Sequence, residues 1–205
     1  MSHGPALLRD GPDTARTTLI LAHGAGAPMD SPFMETVAQG VAGAGIAVVR
    51  FEFPYMAKRR DDGKRRPPDR QQVLLDAWRS VFSAVASERV AIGGKSMGGR
   101  MASLIAGEVG AAALICLGYP FHPPGKPDRL RTDHLRRLGT PCLILQGERD
   151  PFGTRVEVET YALAEGTRLH WLADGNHDLA PRKASGRTHQ DNLAEAIGAI
   201  VGFLG

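Results

Sequence analysis

The sequence predicts an α/β protein, a mostly parallel central sheet of about six strands with helices on both faces. Three features of the chain predict it. Apolar runs of four to seven residues recur without polar alternation, the pattern of strands buried on both faces. Between them lie stretches with apolar residues at three- and four-residue spacing, as amphipathic helices require. Each apolar run also passes directly into glycine or proline punctuation. Strands that alternate with helices imply right-handed crossovers and parallel pairing.

Taken in order, Thr17–His23 (TTLILAH) is the first strand and Pro32–Ala44 the first helix. Ile46–Phe51 (IAVVRF) is the second strand. It leads through Glu52-Phe53-Pro54-Tyr55-Met56 into a basic stretch that reads as a loop, stiffened at its end by Pro67-Pro68. Arg70–Ala86 is helical, Arg89–Gly94 (RVAIGG) is the third strand, and Met97–Gly107 is the helix after it. Ala112–Leu117 (AALICL), a helix over Arg129–Leu138, Pro141–Gln146 (PCLILQ), a helix over Arg155–Leu163, Arg168–Leu172 (RLHWL) and a last helix over His189–Leu204 complete the series. No repeat or linker interrupts it, and 205 residues suit one domain spanning 1–205.

Composition narrows the function classes. With 42% hydrophobic and 23% charged residues, the chain can bury a real core. Aromatics at 6% argue against a stacking platform for single-stranded nucleic acid. Cys116 and Cys142 alone make neither a disulfide framework nor a zinc site, and both sit in apolar runs as small buried hydrophobes. Residues 1–16 contain no apolar core of a secretory signal. The longest apolar candidate for a membrane span, Leu104–Tyr119, is broken by Glu108. A cytoplasmic protein with no membrane or nucleic-acid partner is expected. The net charge of +3 is concentrated: Lys58–Arg70 holds seven basic and three acidic residues, and Lys126–Arg137 five and two. Such runs are ordinarily solvated surface. At the rim of a pocket, the first would favour anionic substrates.

The chemistry-bearing residues stand at strand ends. In a parallel sheet all strand C-termini share one edge, and ligand sites form there. Gly94-Lys95-Ser96-Met97-Gly98 is a G-x-S-x-G between a strand and a helix, the context of a nucleophile elbow. The sharp turn puts Ser96 in a positive-φ conformation, and the flanking glycines remove Cβ atoms that would collide. Phosphate-loop readings fail: G-x-x-x-x-G-K-S needs glycine where Arg89 stands, and G-x-G-x-x-G needs it at Met29. A serine nucleophile requires a base and a group to orient that base. His177 lies in the Gly-flanked loop between the last strand and last helix. His3 stands in the N-terminal stretch, His134 on a helix face, His170 in a strand and His189 at a helix start. Asp150 follows the fifth strand directly, with Glu148 the alternative acid, and Ser…Asp…His is the chain order of α/β hydrolases. His23-Gly24-Ala25-Gly26 resembles the H-G-x-G loops that supply an oxyanion N–H. The N–H groups of Ala25 and Met97 are therefore the expected oxyanion donors, with Gly26 second to Ala25. His23 is expected to organise this loop. Gly26, Tyr55, Lys95 and His122 are candidate substrate contacts.

From Thr17 to Gly205 the chain resembles a compact α/β-hydrolase-fold protein. The segments HGAGAPMDSPFM, FEFPYM, GGKSMGGRMAS, GYPFHPPGKP, LQGERDPFG and GNHDL are most similar to one small group of predicted hydrolases. That group includes testis-expressed protein 30 and the hydrolase-like module of an NSL histone-acetyltransferase complex subunit. More distantly the chain resembles dienelactone hydrolases, which carry cysteine at the elbow where this chain has Ser96. The resemblance implies a Ser96–Asp150–His177 triad without metal or cofactor, and little about substrate. Compared with larger relatives, the chain lacks the length for a lid domain and for the full set of N-terminal antiparallel strands. The expected activity is a serine hydrolase acting on an ester, thioester or related acyl bond of a small molecule. The alternative is a catalytically silent hydrolase-fold scaffold.

Overall fold

The structure, a computed structural model, describes residues 6–205; His3 lies outside them. Seven strands form one sheet: β1 Leu7–Asp10, β2 Thr17–Ala22, β3 Ala47–Phe51, β4 Arg89–Lys95, β5 Ala113–Leu117, β6 Cys142–Gly147 and β7 Thr167–Leu172. Their order is β1-β3-β2-β4-β5-β6-β7, with β1 antiparallel to β3 and every other pair parallel. The helices are α1 Pro32–Ala42, α2 Pro54–Asp62, α3 Gln71–Ala84, α4 Met97–Ile105, α5 Arg155–Val158 and α6 His189–Leu204.

Successive side chains of a strand point to opposite faces, so the unbroken apolar runs feed two cores at once. Ile20, Val49, Phe51, Ile92 and Leu114 face α3 and α4, where Trp78 and Met101 are fully buried. Leu19, Leu21, Val48, Ile115 and Leu145 face α1 and α6, against Val37, Val41, Leu193 and Ile200. The central strands are thereby shielded on both sides, and their C-terminal ends lie together along one edge of the sheet. No separate lid domain is present among the described residues.

Four elements depart from the sequence expectations. β1 is an additional edge strand; its four residues are only partly covered and carry no apolar run. The basic stretch after β3 is helical over α2, which buries only Tyr55 and Met56 and so has no periodic stripe. Its signals are the proline at its first turn and Gly63, left-handed at φ 71°, at its end. The helix expected over Arg129–Leu138 shrinks to a 3₁₀ turn at Leu135–Arg137, because Leu135 is the one apolar side chain fully buried there. The helix expected over Arg155–Leu163 shortens to α5, anchored by Val158.

Candidate active site

The turn from β4 into α4 is the tightest point of the site. Ser96 sits there at φ 49° and ψ −112°, a conformation that costs about 1–3 kcal/mol in a non-glycine residue. Close packing holds it. A Cβ at position 94 would lie 2.2 Å from the Ala22 carbonyl oxygen, and one at 98 would lie 2.4 Å from the same atom. Only glycines let β2 approach both sides of the turn. Ser96 N–H donates to Leu117 O at 2.9 Å, and its hydroxyl is not used to cap α4.

That hydroxyl is 2.9 Å from His177 Nε2, and His177 Nδ1 is 2.8 Å from Asp150 Oδ2. A carboxylate can only accept, so the Nδ1 proton faces Asp150 and Nε2 is left to accept from Ser96. Asp150 is fully buried. Its Oδ2 also accepts from Gln146 Nε2 at 2.9 Å, and its Oδ1 accepts from Phe152 N–H at 2.9 Å. Gln146 was not singled out in the sequence. It accepts from Tyr119 N–H at 2.7 Å and donates to Tyr119 O and Gly153 O at 3.2 Å, fastening the ends of β5 and β6 around the acid. The signal was available: a lone amide closes the apolar run CLILQG four residues before Asp150. Glu148 points elsewhere. It accepts from Asp174 N–H at 2.9 Å and from Arg155 at 3.0 Å, and these bonds hold its carboxyl below the usual range.

The loop after β2 is braced from beneath. His23 Nδ1 donates to Gly24 O at 2.6 Å, and its Nε2 accepts from Phe53 N–H at 3.1 Å. Burial pushes this imidazole below its ordinary range, so it stays neutral. The Tyr55 hydroxyl donates to Ala25 O at 3.0 Å. Among the described residues, the N–H groups of Ala25 and Met97 have no protein acceptor.

Ser96 opens into a cleft of about 360 Å³. Gly24–Ala27, Phe33, Met34 and Phe152 line it. Gly26, Lys95 and His177 also line it. Tyr55 and His122 do not: each is 2% exposed, Tyr55 beneath the Ala25 loop and His122 with Nδ1 donating to Pro123 O at 2.9 Å. Neither the 58–70 segment nor the 121–124 segment lines the cleft. Arg60 is instead bound to Glu52 at 2.6 Å and Asp30 at 2.8 Å, and Arg66 to Asp62 at 2.5 Å. Among the described residues, no three His, Cys, Asp or Glu side chains converge as metal ligands. No described helix is long and apolar enough to cross a membrane. A larger hollow of about 720 Å³ lies at the opposite sheet edge beside Arg16, Glu88 and Arg89, away from Ser96.

Solved structures share this architecture. An α/β serine hydrolase homologue from Coxiella burnetii superposes with a TM-score of 0.75 at 18% identity, covering 97% of this chain and 91% of that one. An α/β serine hydrolase without a lid from Xanthomonas campestris gives 0.72 at 21% identity, covering 97% and 88%. A dienelactone hydrolase from Anabaena variabilis gives 0.73 at 19% identity, covering 99% and 100%. At these identities the likeness is one of fold. Residues 15–205 match the family model described as an alpha/beta hydrolase domain, and the chain belongs to that family.

Proposed function

We propose that the protein is a serine hydrolase that cleaves an ester, thioester or related acyl bond through an acyl-enzyme. The observation that carries this reading is the unbroken chain Ser96 Oγ–His177 Nε2 and Nδ1–Asp150 Oδ2, at 2.9 and 2.8 Å. Ser96 Oγ attacks the substrate carbonyl carbon while Nε2 takes its proton, and Asp150 orients the imidazole and stabilises its cation. The N–H groups of Met97 and Ala25 receive the oxyanion. As the carbonyl re-forms, the imidazolium gives its proton to the leaving group. Water then repeats the sequence and releases the acid. This chemistry needs no metal or cofactor. Within the family, the resemblance of the quoted motifs supports kinship with the group that includes testis-expressed protein 30. Its two free buried cysteines fit a reducing compartment such as the cytoplasm.

The cleft supports a small, neutral, apolar acyl substrate. Lys95 and Asp178 both line it and pair with each other at 3.2 Å, and the basic 58–70 segment lies off the lining. The anionic preference anticipated from that segment therefore gives way to a neutral ester. The test is a fluorophosphonate probe followed by peptide mapping, with turnover of a panel of neutral esters and thioesters. Labelling at Ser96 is expected, as is loss of activity on the order of a millionfold in Ser96→Ala with an unchanged melting temperature. A well-folded wild type that neither labels nor turns over any ester would instead be the hydrolase-fold scaffold.

A further inference from the structure

Lys95 ends β4, one residue before Ser96, and is only 7% exposed. Its Nζ donates to the His177 carbonyl oxygen at 2.8 Å and lies 3.2 Å from Asp178 Oδ1. The Phe33 ring centroid is 5.5 Å away. Burial pushes the ammonium below the usual lysine range, while Asp178 and Asp150 favour its charged form. A desolvated ammonium persists only where such partners offset the loss of water.

The rest of the loop after β7 is tied down elsewhere. Arg149 N–H donates to Gly175 O at 2.9 Å, and Asn192 Nδ2 donates to Ala173 O at 3.1 Å and Leu179 O at 2.7 Å. Asn176 closes its own turn through the N–H groups of Asp178 and Ala180. These bonds fix the feet of the loop. At His177 itself, the bond from Lys95 is the one backbone hydrogen bond among the described residues.

We propose that Lys95 is a positioning residue: by holding the His177 carbonyl and Asp178, it fixes the imidazole between Ser96 and Asp150. The proposal rests on the serine-hydrolase reading and replaces the direct substrate contact expected of Lys95 from sequence. The charged and titratable groups facing His177 are Asp150 from the loop after β6, Lys95 from β4 and Asp178 from its own loop. His189 of α6 reaches the Asp178 carbonyl oxygen at 2.8 Å, and α1 presents Phe33 and Met34 to the cleft.

Lys95→Met keeps the apolar stem and deletes the charge and the donor. We expect kcat to fall about 10- to 100-fold with KM within about threefold, the split expected when transition-state geometry is lost. The downfield proton resonance of the His177 Nδ1–H bond to Asp150 should broaden or vanish. That resonance needs no turnover, so it reports on Lys95 even if the wild type fails to label with fluorophosphonate, a failure that would strike the hydrolase reading alone. A folded Lys95→Met with resonance and kcat unmoved overturns the proposal. So does a rise in KM confined to carboxylated esters, which would make Lys95 a substrate contact. Should Lys95→Met not fold, Lys95→Gln, whose amide falls one atom short of the lysine ammonium, is measured in its place: the resonance is expected to broaden and kcat to fall at unchanged KM, and a resonance and kcat both unmoved overturn the proposal.

Discussion

Asp150 accepts from three donors, His177, Gln146 and Phe152 N–H, in a fully buried position. Its replacement by asparagine changes little volume but offers His177 an amide that favours the wrong tautomer. Asp150→Asn should remain folded and lose about 10⁴-fold in kcat. Glu148→Gln should stay within about tenfold of wild type, since Glu148 serves Asp174 and Arg155; steady-state kinetics on both variants decide between the two acids, and the reverse pattern would move the acid to Glu148. His23 carries a second residue-scale consequence. Buried and neutral, it titrates below its ordinary 6.5, whereas the unfolded chain binds the proton at 6.5. The unfolded state thus holds more protons between those values, so stability is lost as pH falls from about 6.5 toward the folded value. Urea midpoints at pH 7 and pH 5 should drop further for wild type than for His23→Gln; equal drops would remove His23 from the acid response.

The elements that escaped the sequence share one physical trait: two anchors at most in the core. α2 is held by Tyr55, Met56 and ion pairs rather than by an apolar stripe. Arg60 is its main tie, joining buried Glu52 to Asp30 and so fastening α2 to the segment before α1. Arg60→Gln leaves Glu52 without its cation and should cost about 1–3 kcal/mol. That corresponds to a melting temperature lower by about 2–10 °C, read by calorimetry. A loss below about 0.5 kcal/mol would return the pair to ordinary surface bridging. The strands escaped nothing but the short edge β1, because burial on both faces demands long apolar runs that are legible one residue at a time.

At the scale of the molecule, the parallel sheet decides where chemistry can occur. Ser96, Asp150 and His177 are dispersed over 82 positions of the chain, yet all follow strands whose C-termini share one edge. The same architecture separates the positive charge from the cleft. Lys58, Arg59, Lys64 and Arg65 form no ion pair among the described residues and do not line it. Replacing all four with glutamine should change the ratio of kcat/KM for a carboxylated and a neutral ester by less than about twofold at 0.1 M salt, where the Debye length is about 10 Å. A selective loss for the carboxylated ester that fades at 1 M salt would restore electrostatic screening by this segment.

The sequence alone determined the fold class, the strand series and the elbow, because burial periodicity and the glycines around Ser96 are local properties of the chain. It also singled out Asp150 and His177 as the candidate acid and base, since position after a strand implies position on an edge. What only the tertiary structure decided is what surrounds them. Gln146 bonds the Asp150 carboxylate, Lys95 the His177 carbonyl oxygen and Tyr55 the Ala25 carbonyl oxygen. His122 was left buried away from the cleft. Each of these roles depends on which buried donor meets which acceptor across elements far apart in sequence, and a hydrogen bond a few ångströms long leaves no periodic trace in the chain.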